Sequence, residues 1–392
     1  VFLMSIKAID LFSGAGGFSL SATNAGVQVL AAIELDRAAA KTYETNFNVI
    51  RKMDVKVLDE DINNIDIPAL RADLELSKGE LDLILGGPPC QGFSSHRIKN
   101  AGVDDPRNKL LLRYFEFVHE FQPKAFLVEN VSGLLWERHE PYLKNFLSLA
   151  SKEGYYIHFC GTINAKDYGV PQNRKRVFIL GLKSSLDVKN IEFPPPPTHF
   201  SPSSGIKPVW RAASSVFEKL PKELYEKYWN DYFCKKTALT KEQAFELLSN
   251  LESGLPLSIE DTSNVHMKPS NMMIQRFMRI GLNGSREDLG EDGQLKCHSD
   301  GYKGHKDVYG RIFIHQPSNT ITAGCNNPSK GRFIHPWKNH GITLRHAARL
   351  QSFDDDFIFC GNNSEQAQQI GNAVPPLLGE ILIKKICSEL NL

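Results

Sequence analysis

The first half of the chain alternates short apolar runs with segments whose apolar residues recur at helical spacing. Strand 6–12 precedes a helical pattern that ends near Ala25, and strand 29–34 precedes a second one at 38–46. The same pattern predicts strands at 81–85, 125–128 and 177–182, with helices at 110–121 and 140–151. Strands that alternate with helices predict a parallel sheet with right-handed crossovers.

A run of four prolines at 194–197 ends this pattern, because neither a helix nor a central strand accepts such a run. Beyond it, segments 219–236 and 240–251 look helical, whereas 281–341 is rich in Gly, Asn and Ser and predicts short alternating strands. The segment 380–390 returns to an amphipathic helix. The sequence therefore predicts an α/β domain and a second, irregular domain, which its 392 residues can accommodate.

The bulk composition is neutral with respect to function. The net charge is +1, so any basic surface for nucleic acid depends on how the charges are placed. The seven cysteines are odd in number and form no CxxC pair, which predicts reduced thiols in a cytoplasmic protein. No apolar run predicts a membrane span, and Cys297, His298 and His305 lack the further ligands that a metal site needs.

A glycine-rich turn over 10–18 joins the first strand to the first helix, with glycines at Gly14, Gly16 and Gly17. Such a turn lets the backbone approach a ligand closely and directs helix N–H groups at it. The second strand ends in the acidic residue Glu34, which suits ribose hydroxyls. Together these features predict a nucleoside ligand, while the missing GxGxxG spacing disfavours a nicotinamide.

Cys90 lies in the loop 86–94, directly after the buried strand 81–85. Ligands collect at the carboxyl ends of strands in open α/β sheets, and the prolines before Cys90 stiffen its approach. Another buried strand ends at Glu129, whose carboxyl group could hold or deliver a proton in the same cleft. Cys90 is therefore a candidate nucleophile, whereas Glu129 taken alone is equally consistent with an ordinary helix-capping or surface glutamate.

Three cations at 174–176 lead into the predicted strand 177–182. Such a run is usually a solvated face or a phosphate contact. Strand alternation would place Arg174 and Arg176 on one face and Lys175 on the other.

With these motifs in place, the chain resembles the cytosine-C5 DNA methyltransferases of bacterial restriction-modification systems over nearly its whole length. The matching blocks occur in family order and are 10–20, 34–36, 86–94, 129–131, 172–178, 345–353 and 370–376. The resemblance implies a Rossmann-like S-adenosylmethionine-dependent domain over 1–190 and 366–392. The implied target-recognition domain and hinge cover 191–365.

The resemblance also implies the mechanism. Cys90 matches the thiolate that attacks C6 of a cytosine flipped out of the duplex, which activates C5 for methylation. Glu129 matches the carboxyl group that holds N3 and the amino group, and Arg176 matches the arginine that contacts the base carbonyl, with Arg174 supporting the same pocket. Gln91 and Ser94 match the mobile loop that closes over the substrate.

For the cofactor, S-adenosyl-L-methionine, the matching positions lie in both terminal parts of the chain. They are Phe12, Gly14, Gly16, Glu34, Asp61, Ile62, Pro89, Asn372 and Ala373. The last two imply that the C-terminal helix folds back onto the first domain. No metal is implied.

The block at 343–353 departs from the family pattern, because Leu344 and His346 replace the usual proline and glutamate around Arg345. This block is thought to organise the second domain, where the DNA sequence is read. An aromatic cluster in that domain could stack on bases, but its spacing favours packing in an amphipathic helix; it comprises Tyr225, Tyr228, Trp229, Tyr232 and Phe233.

Three alternatives remain open. A tRNA cytosine-C5 methyltransferase would use the same blocks, but the long recognition insert favours DNA. A catalytically silent DNA-binding relative would not need Cys90, Glu129 and Arg176 together, and a nicotinamide dehydrogenase lacks its glycine motif. The predicted partners are double-stranded DNA and a cognate restriction endonuclease, and the expected state is a monomer in the cytoplasm.

Overall fold

The computed structural model describes residues 5–88, 106–186, 191–290 and 307–392. The chain divides into two compact units. The first unit comprises Val1–Tyr168, Lys175–Pro197 and Ala373–Leu392, and the second comprises Gly169–Arg174 and Thr198–Asn372. The assignment of catalysis to 1–190 with 366–392, and of target recognition to 191–365, stays a prediction.

The first unit is built on a seven-stranded sheet of order β3-β2-β1-β4-β5-β7-β6. The strands are β1 (Lys7–Leu11), β2 (Gln28–Glu34), β3 (Lys56–Asp59), β4 (Leu83–Gly86), β5 (Ala125–Val131), β6 (Tyr155–Asn164) and β7 (Lys175–Lys183). The first five strands pair in parallel, as predicted for β1, β2, β4 and β5; β3 was not predicted as a strand. β7 runs antiparallel to both β5 and β6, so the expectation of a wholly parallel sheet is wrong at this edge.

The predicted helices lie close to their expected positions, whereas the helices at 67–73, 271–279, 344–350 and 363–372 were not predicted. Those of the first unit are α1 (Gly17–Asn24), α2 (Arg37–Glu44), α3 (Ile67–Asp73), α4 (Pro106–Phe121), α5 (Glu140–Lys152) and α12 (Pro376–Glu389). Those of the second unit are α6 (Tyr225–Tyr228), α7 (Cys234–Lys236), α8 (Lys241–Ser249), α9 (Asn271–Arg279), α10 (Leu344–Leu350) and α11 (Asn363–Asn372). Within the described ranges, no helix has the length and apolar character to cross a membrane.

The core of the first unit lies between the sheet and its helices. Every residue of β4 is buried, and Phe126 of β5 meets Phe115 of α4 and Phe146 of α5 in T-shaped, edge-to-face contacts. α12 packs on α1 so closely that a Cβ on Gly379 would lie 2.2 Å from Ser21 Oγ. The C-terminal helix is therefore part of the first unit, next to the glycine-rich turn that precedes α1.

Arginine side chains organise much of the second unit. The buried guanidinium of Arg311 donates to the carbonyls of Phe277, Ile280, His335 and Lys338. In the described parts of 281–341, β pairing is limited to isolated bridges, so the expected alternating strands are absent there. Because these arginine donors satisfy backbone carbonyl oxygens, the segments do not need the hydrogen bonds of a β-ladder.

The aromatic cluster of the second unit is a packing cluster, as its spacing predicted. Tyr225, Tyr228 and Phe233 are buried, and Trp229 and Tyr232 pack against them. Their partners include Leu248 of α8 and other apolar side chains rather than solvent.

Candidate active site

The carboxyl ends of four parallel strands meet in one row. Ile33 pairs with Leu11, Leu11 with Gly86, and Gly86 with Val128. One residue further along each strand stand Glu34, Phe12, Gly87 and Glu129. Neighbouring strands are about 4.8 Å apart, so the two acidic side chains are separated by roughly 14 Å along this edge. The chain that leads to Cys90 leaves the sheet between them.

The glycine-rich turn is tied to the acidic end of β2. The Gly14 N–H donates to Glu34 Oε2 at 2.8 Å, and the Asp36 N–H donates to Glu34 Oε1 at 2.8 Å. Phe12 and Gly14 both have left-handed backbone conformations, and a Cβ on Gly14 would meet nothing within 4 Å. Because each carboxylate oxygen has a second lone pair, Glu34 can still accept hydrogen bonds from a ligand.

Gly16 serves packing more than ligand access, because a Cβ there would lie 2.5 Å from the Phe47 ring. Asp61 begins a short helical turn, where its carboxylate accepts from the Asn63 N–H at 2.9 Å. The Ile62 side chain is 4% exposed and belongs to the core. Three of the predicted cofactor positions, Gly16, Asp61 and Ile62, are thus held by local structure in the first unit.

Two glycines at the end of β4 let the backbone pass close to the neighbouring strands β1 and β5. A Cβ on Gly86, whose φ is +118°, would lie 1.9 Å from the Leu11 carbonyl oxygen. A Cβ on Gly87 would lie 2.1 Å from the Glu129 carbonyl oxygen. Only glycine permits these contacts, so this stretch is fixed against the ends of β1 and β5.

Substitution of Gly87 by Ala is expected to displace β5 from β4, because a backbone oxygen cannot move away as a side chain can. We expect a loss of about 2 kcal/mol or more in unfolding free energy and at least a tenfold loss of activity. Thermal unfolding and an assay of the methyl transfer expected from the resemblance measure both effects. Gly26→Ala is the control: its Cβ meets nothing within 4 Å, so only backbone strain of about 1 kcal/mol applies. Unchanged activity in the Gly87 variant would contradict the role assigned to this contact.

Glu129 and Arg176 face each other on the same side of the sheet. Arg176 pairs with Val131 across the β5–β7 ladder, and Val131 shares a face with Glu129 because side chains alternate along a strand. Arg176 Nε lies 3.0 Å from Glu129 Oε1, and both side chains are largely but not wholly buried. A carboxylate and a guanidinium are thereby presented together at the carboxyl end of β5.

Asn130 is a site residue whose role the sequence did not reveal. It is 6% exposed, points to the face opposite Glu129, and donates from Nδ2 to the Pro88 carbonyl oxygen at 3.3 Å. Pro88 stands two residues before Cys90, so Asn130 anchors the segment that leads to the predicted nucleophile. The available signal was a buried amide inside an otherwise apolar strand. Pro89, Cys90, Gln91 and Ser94 lie outside the described residues.

Arg174 and Arg176 fall in different units, and strand alternation does not relate them because β7 begins at Lys175. The Arg174 side chain is fully buried in the second unit. It donates to the carbonyl oxygens of Ile321 and Gly371, each at 3.0 Å. These contacts give Arg174 a scaffold position there, beside the end of α11.

The two C-terminal cofactor positions stand at a boundary. Asn372 is the last residue of α11 in the second unit, and Ala373 is the first residue of the returning segment of the first unit. A Cβ on Gly371 would lie 2.1 Å from the Thr322 carbonyl carbon, so the chain just before Asn372 is held tightly in the second unit.

The chain is similar to known proteins over almost its full length. Residues 6–388 match the family described as C-5 cytosine-specific DNA methylase. The type II methyltransferase M.DdeI of Desulfomicrobium norvegicum is 34% identical, covering 97% of this chain and 88% of its own. M1.HphI of Haemophilus parahaemolyticus is 31% identical, covering 98% and 88%.

Solved structures give the same picture. A DNA modification methyltransferase encoded within an E. coli prophage superposes with a TM-score of 0.70 at 25% identity, covering 99% of this chain and all of that one. The Dnmt2 methyltransferase of S. pombe superposes with a TM-score of 0.57 at 14% identity, covering 99% of this chain and all of that one, which shows a shared fold.

Proposed function

The chain belongs to the C-5 cytosine-specific DNA methylase family, and from this premise we propose how its residues divide the reaction. As a member it is a DNA (cytosine-5-)-methyltransferase with a Rossmann-like fold that uses S-adenosyl-L-methionine. The proposal concerns the individual site residues and the cellular partners. The observation that carries it is the Glu129–Arg176 pair, next to the backbone contact of Gly87 with Glu129.

The residues at the ends of β1 and β2 suit the cofactor. Phe12 and Gly14 would line its approach, and Glu34 would accept from the ribose hydroxyls. Gly16 would contribute by letting the turn pack against the Phe47 ring. Open space above Gly14, together with a carboxylate already oriented by two N–H groups, supports this assignment. S-adenosyl-L-methionine supplies an electrophilic methyl group when bound. Asp61, Ile62, Pro89, Asn372 and Ala373 complete the proposed set.

Cys90 is proposed as the nucleophile that attacks C6 of the cytosine. This attack places negative charge on the ring, so a proton donor and a cation near the base lower the barrier. Glu129 would hold N3 and the amino group, while Arg176 would donate to the base carbonyl and keep the Glu129 carboxylate oriented. Arg174, whose guanidinium binds two carbonyls, would support the pocket by bracing the segment before β7.

The reacting carbon is inaccessible in a stacked duplex, so the target cytosine would be flipped into this site. Flipping costs a few kcal/mol, which contacts to the base and to the remaining gap must offset. Gln91 and Ser94 are proposed to close over the flipped base.

The cellular setting is proposed from the relatives. Type II methyltransferases such as M.DdeI support a role in a restriction-modification system, paired with an endonuclease of the same specificity. We propose that the enzyme acts as a monomer in the cytoplasm, where the DNA lies. The tRNA alternative is not favoured, because the family match is to DNA methylases.

The function is tested by methyl transfer from labelled cofactor to duplex DNA and to tRNA. We expect transfer to duplex DNA only, and bisulfite sequencing of DNA from a host that expresses the chain should reveal one recurring methylated sequence. Transfer to tRNA at a comparable rate would contradict the substrate assignment. Co-expression with an endonuclease that cuts the methylated sequence tests the pairing separately, through protection of host DNA.

A further inference from the structure

Three polar side chains of the second unit, none of them in the proposed catalytic set, converge on one another. Glu218 Oε2, His335 Nε2 and His346 Nε2 are all buried; one side-chain nitrogen or oxygen of each of these residues lies within 4.8 Å of the other two, and His335 Nε2 is 3.8 Å from Glu218 Oε2. His335 is wholly buried and His346 is 3% exposed. Over the described residues, none of these three atoms has a hydrogen-bond partner. Buried polar atoms that face one another require an explanation.

Two histidines and a carboxylate can also bind zinc. The hydrogen bonds that the two Nδ1 atoms accept argue against a zinc site here. His335 Nδ1 accepts from the N–H groups of Trp337 at 3.3 Å and Lys338 at 3.1 Å. His346 Nδ1 accepts from the Thr343 N–H at 3.4 Å and so completes the capping box of α10. A neutral imidazole that accepts at Nδ1 carries its proton at Nε2, so both rings point donors at Glu218.

The surrounding charges agree with neutral rings and an ionised carboxylate. Lys338 Nζ binds Glu218 Oε1 at 2.7 Å, which leaves Oε2 toward the imidazoles. Burial lowers the pKa of His335 to about 4 and holds the pKa of His346 well below its usual range. The His335 imidazole, with Nε2 3.8 Å from Glu218 Oε2, is the main group that holds the pKa of Glu218 well below its usual range.

Other titratable or charged groups also act on these rings. His340 and Lys338 disfavour a positive charge on His335, and Arg349 and Lys338 disfavour one on His346. His340 itself stacks on His266, with ring centroids 4.1 Å apart. Only Glu218 favours protonation of either ring, and one carboxylate does not offset the burial of two imidazolium charges.

We propose that Glu218, His335 and His346 form an acid-sensitive latch, in which two neutral imidazoles donate their Nε2 protons to the Glu218 carboxylate, directly or through one water. Atoms within 4.8 Å of one another leave a point within about 2.8 Å of all three, which suits such a water. The latch fastens Glu218 to α10, with the Phe217 ring 4.5 Å from the ring of His346. Its opening would release α10 from the segment before Lys219.

The expected pH dependence follows from the depressed pKa values of both histidines. The folded latch binds fewer protons than the open one, so its stability is complete above about pH 6.5 and declines as the pH falls toward 4. The opening constant should rise by up to tenfold per pH unit for each histidine. Protonation of Glu218 would add to this loss only at still lower pH, since its pKa is lowered as well.

Hydrogen exchange of the full chain tests the latch at pH 7.5, 6.5 and 5.5, with rates corrected for the intrinsic effect of pH. We expect amides of α10 to open more readily as the pH falls, by up to 100-fold per unit at the steepest point. His346→Gln retains a capping-box side chain at N3 and should reduce this slope to about tenfold. His119→Gln, at an exposed histidine of the first unit, is the control and should leave the slope unchanged. An unaltered slope in His346→Gln overturns the latch.

Two further measurements test the latch without relying on hydrogen exchange of His346→Gln alone. Glu218→Gln should increase exchange of α10 severalfold at pH 7.5, because a neutral amide is a weaker acceptor than a carboxylate; unchanged exchange overturns the proposal. After dialysis against zinc, wild type and His346→Gln should retain equal amounts of metal. One equivalent of zinc that is held by wild type and lost in His346→Gln would establish a metal site instead.

Discussion

Substitution of Cys90 by Ser is expected to reduce methyl transfer to duplex DNA by at least about 10⁴-fold. The nucleophile that adds to C6 has to be an anion, and a serine hydroxyl ionises far less readily than a thiol at neutral pH. Binding of cofactor and DNA should change little, because the two side chains are nearly equal in size. Single-turnover transfer and a DNA-binding titration of the same variant measure the two effects separately.

A duplex containing 5-fluorocytosine tests the same assignment by trapping the covalent bond between enzyme and base. The fluorine cannot leave as a proton does, so the adduct between Cys90 and C6 should accumulate after methyl transfer and be located by peptide mass spectrometry. Cys234→Ser is the matched control, since Cys234 is exposed and outside the proposed site, and it should form the adduct as wild type does. An adduct at another cysteine, or activity retained by Cys90→Ser, would exclude Cys90 as the nucleophile.

The row of strand ends could be predicted because apolar runs mark buried strands directly. Once the first strand, the second strand and the one ending at Glu129 are placed in a parallel sheet, their following residues must share one edge. The sequence therefore located Glu34 and Glu129 correctly at strand ends. It could not supply their contacts, since the lack of room for a Cβ on Gly87 beside the Glu129 carbonyl depends on how β4 and β5 pack.

The antiparallel edge escaped prediction for a physical reason. β6 and β7 are joined by a long segment rather than a tight turn, so no two-residue turn signature marks the hairpin. Most of β6 is only half buried, which weakens its apolar alternation. In the second unit, Arg311 and Arg332 each bind several distant carbonyls, and such side-chain bonds have no local sequence period.

The Glu129–Arg176 pair provides the second large expected effect. Glu129→Gln keeps the shape of the side chain but removes its charge and its ability to deliver a proton, so we expect methyl transfer to fall by about 10²- to 10⁴-fold. It also leaves Arg176 without its partner, which should cost about 1–2 kcal/mol because both side chains retain some exposure. The catalytic loss is thus expected to exceed what reduced stability alone produces.

A double-mutant cycle separates these contributions. If Glu129 and Arg176 act on one base as a unit, Glu129→Gln combined with Arg176→Gln should lose little more activity than the worse single variant. Glu140→Gln is the control for removal of an acid, because Glu140 forms an exposed ion pair with Lys144 on α5. Losses that multiply in the double variant would mean that the two side chains act independently. The 3.0 Å contact would then be structural, and the carboxylate would reach the base without the guanidinium.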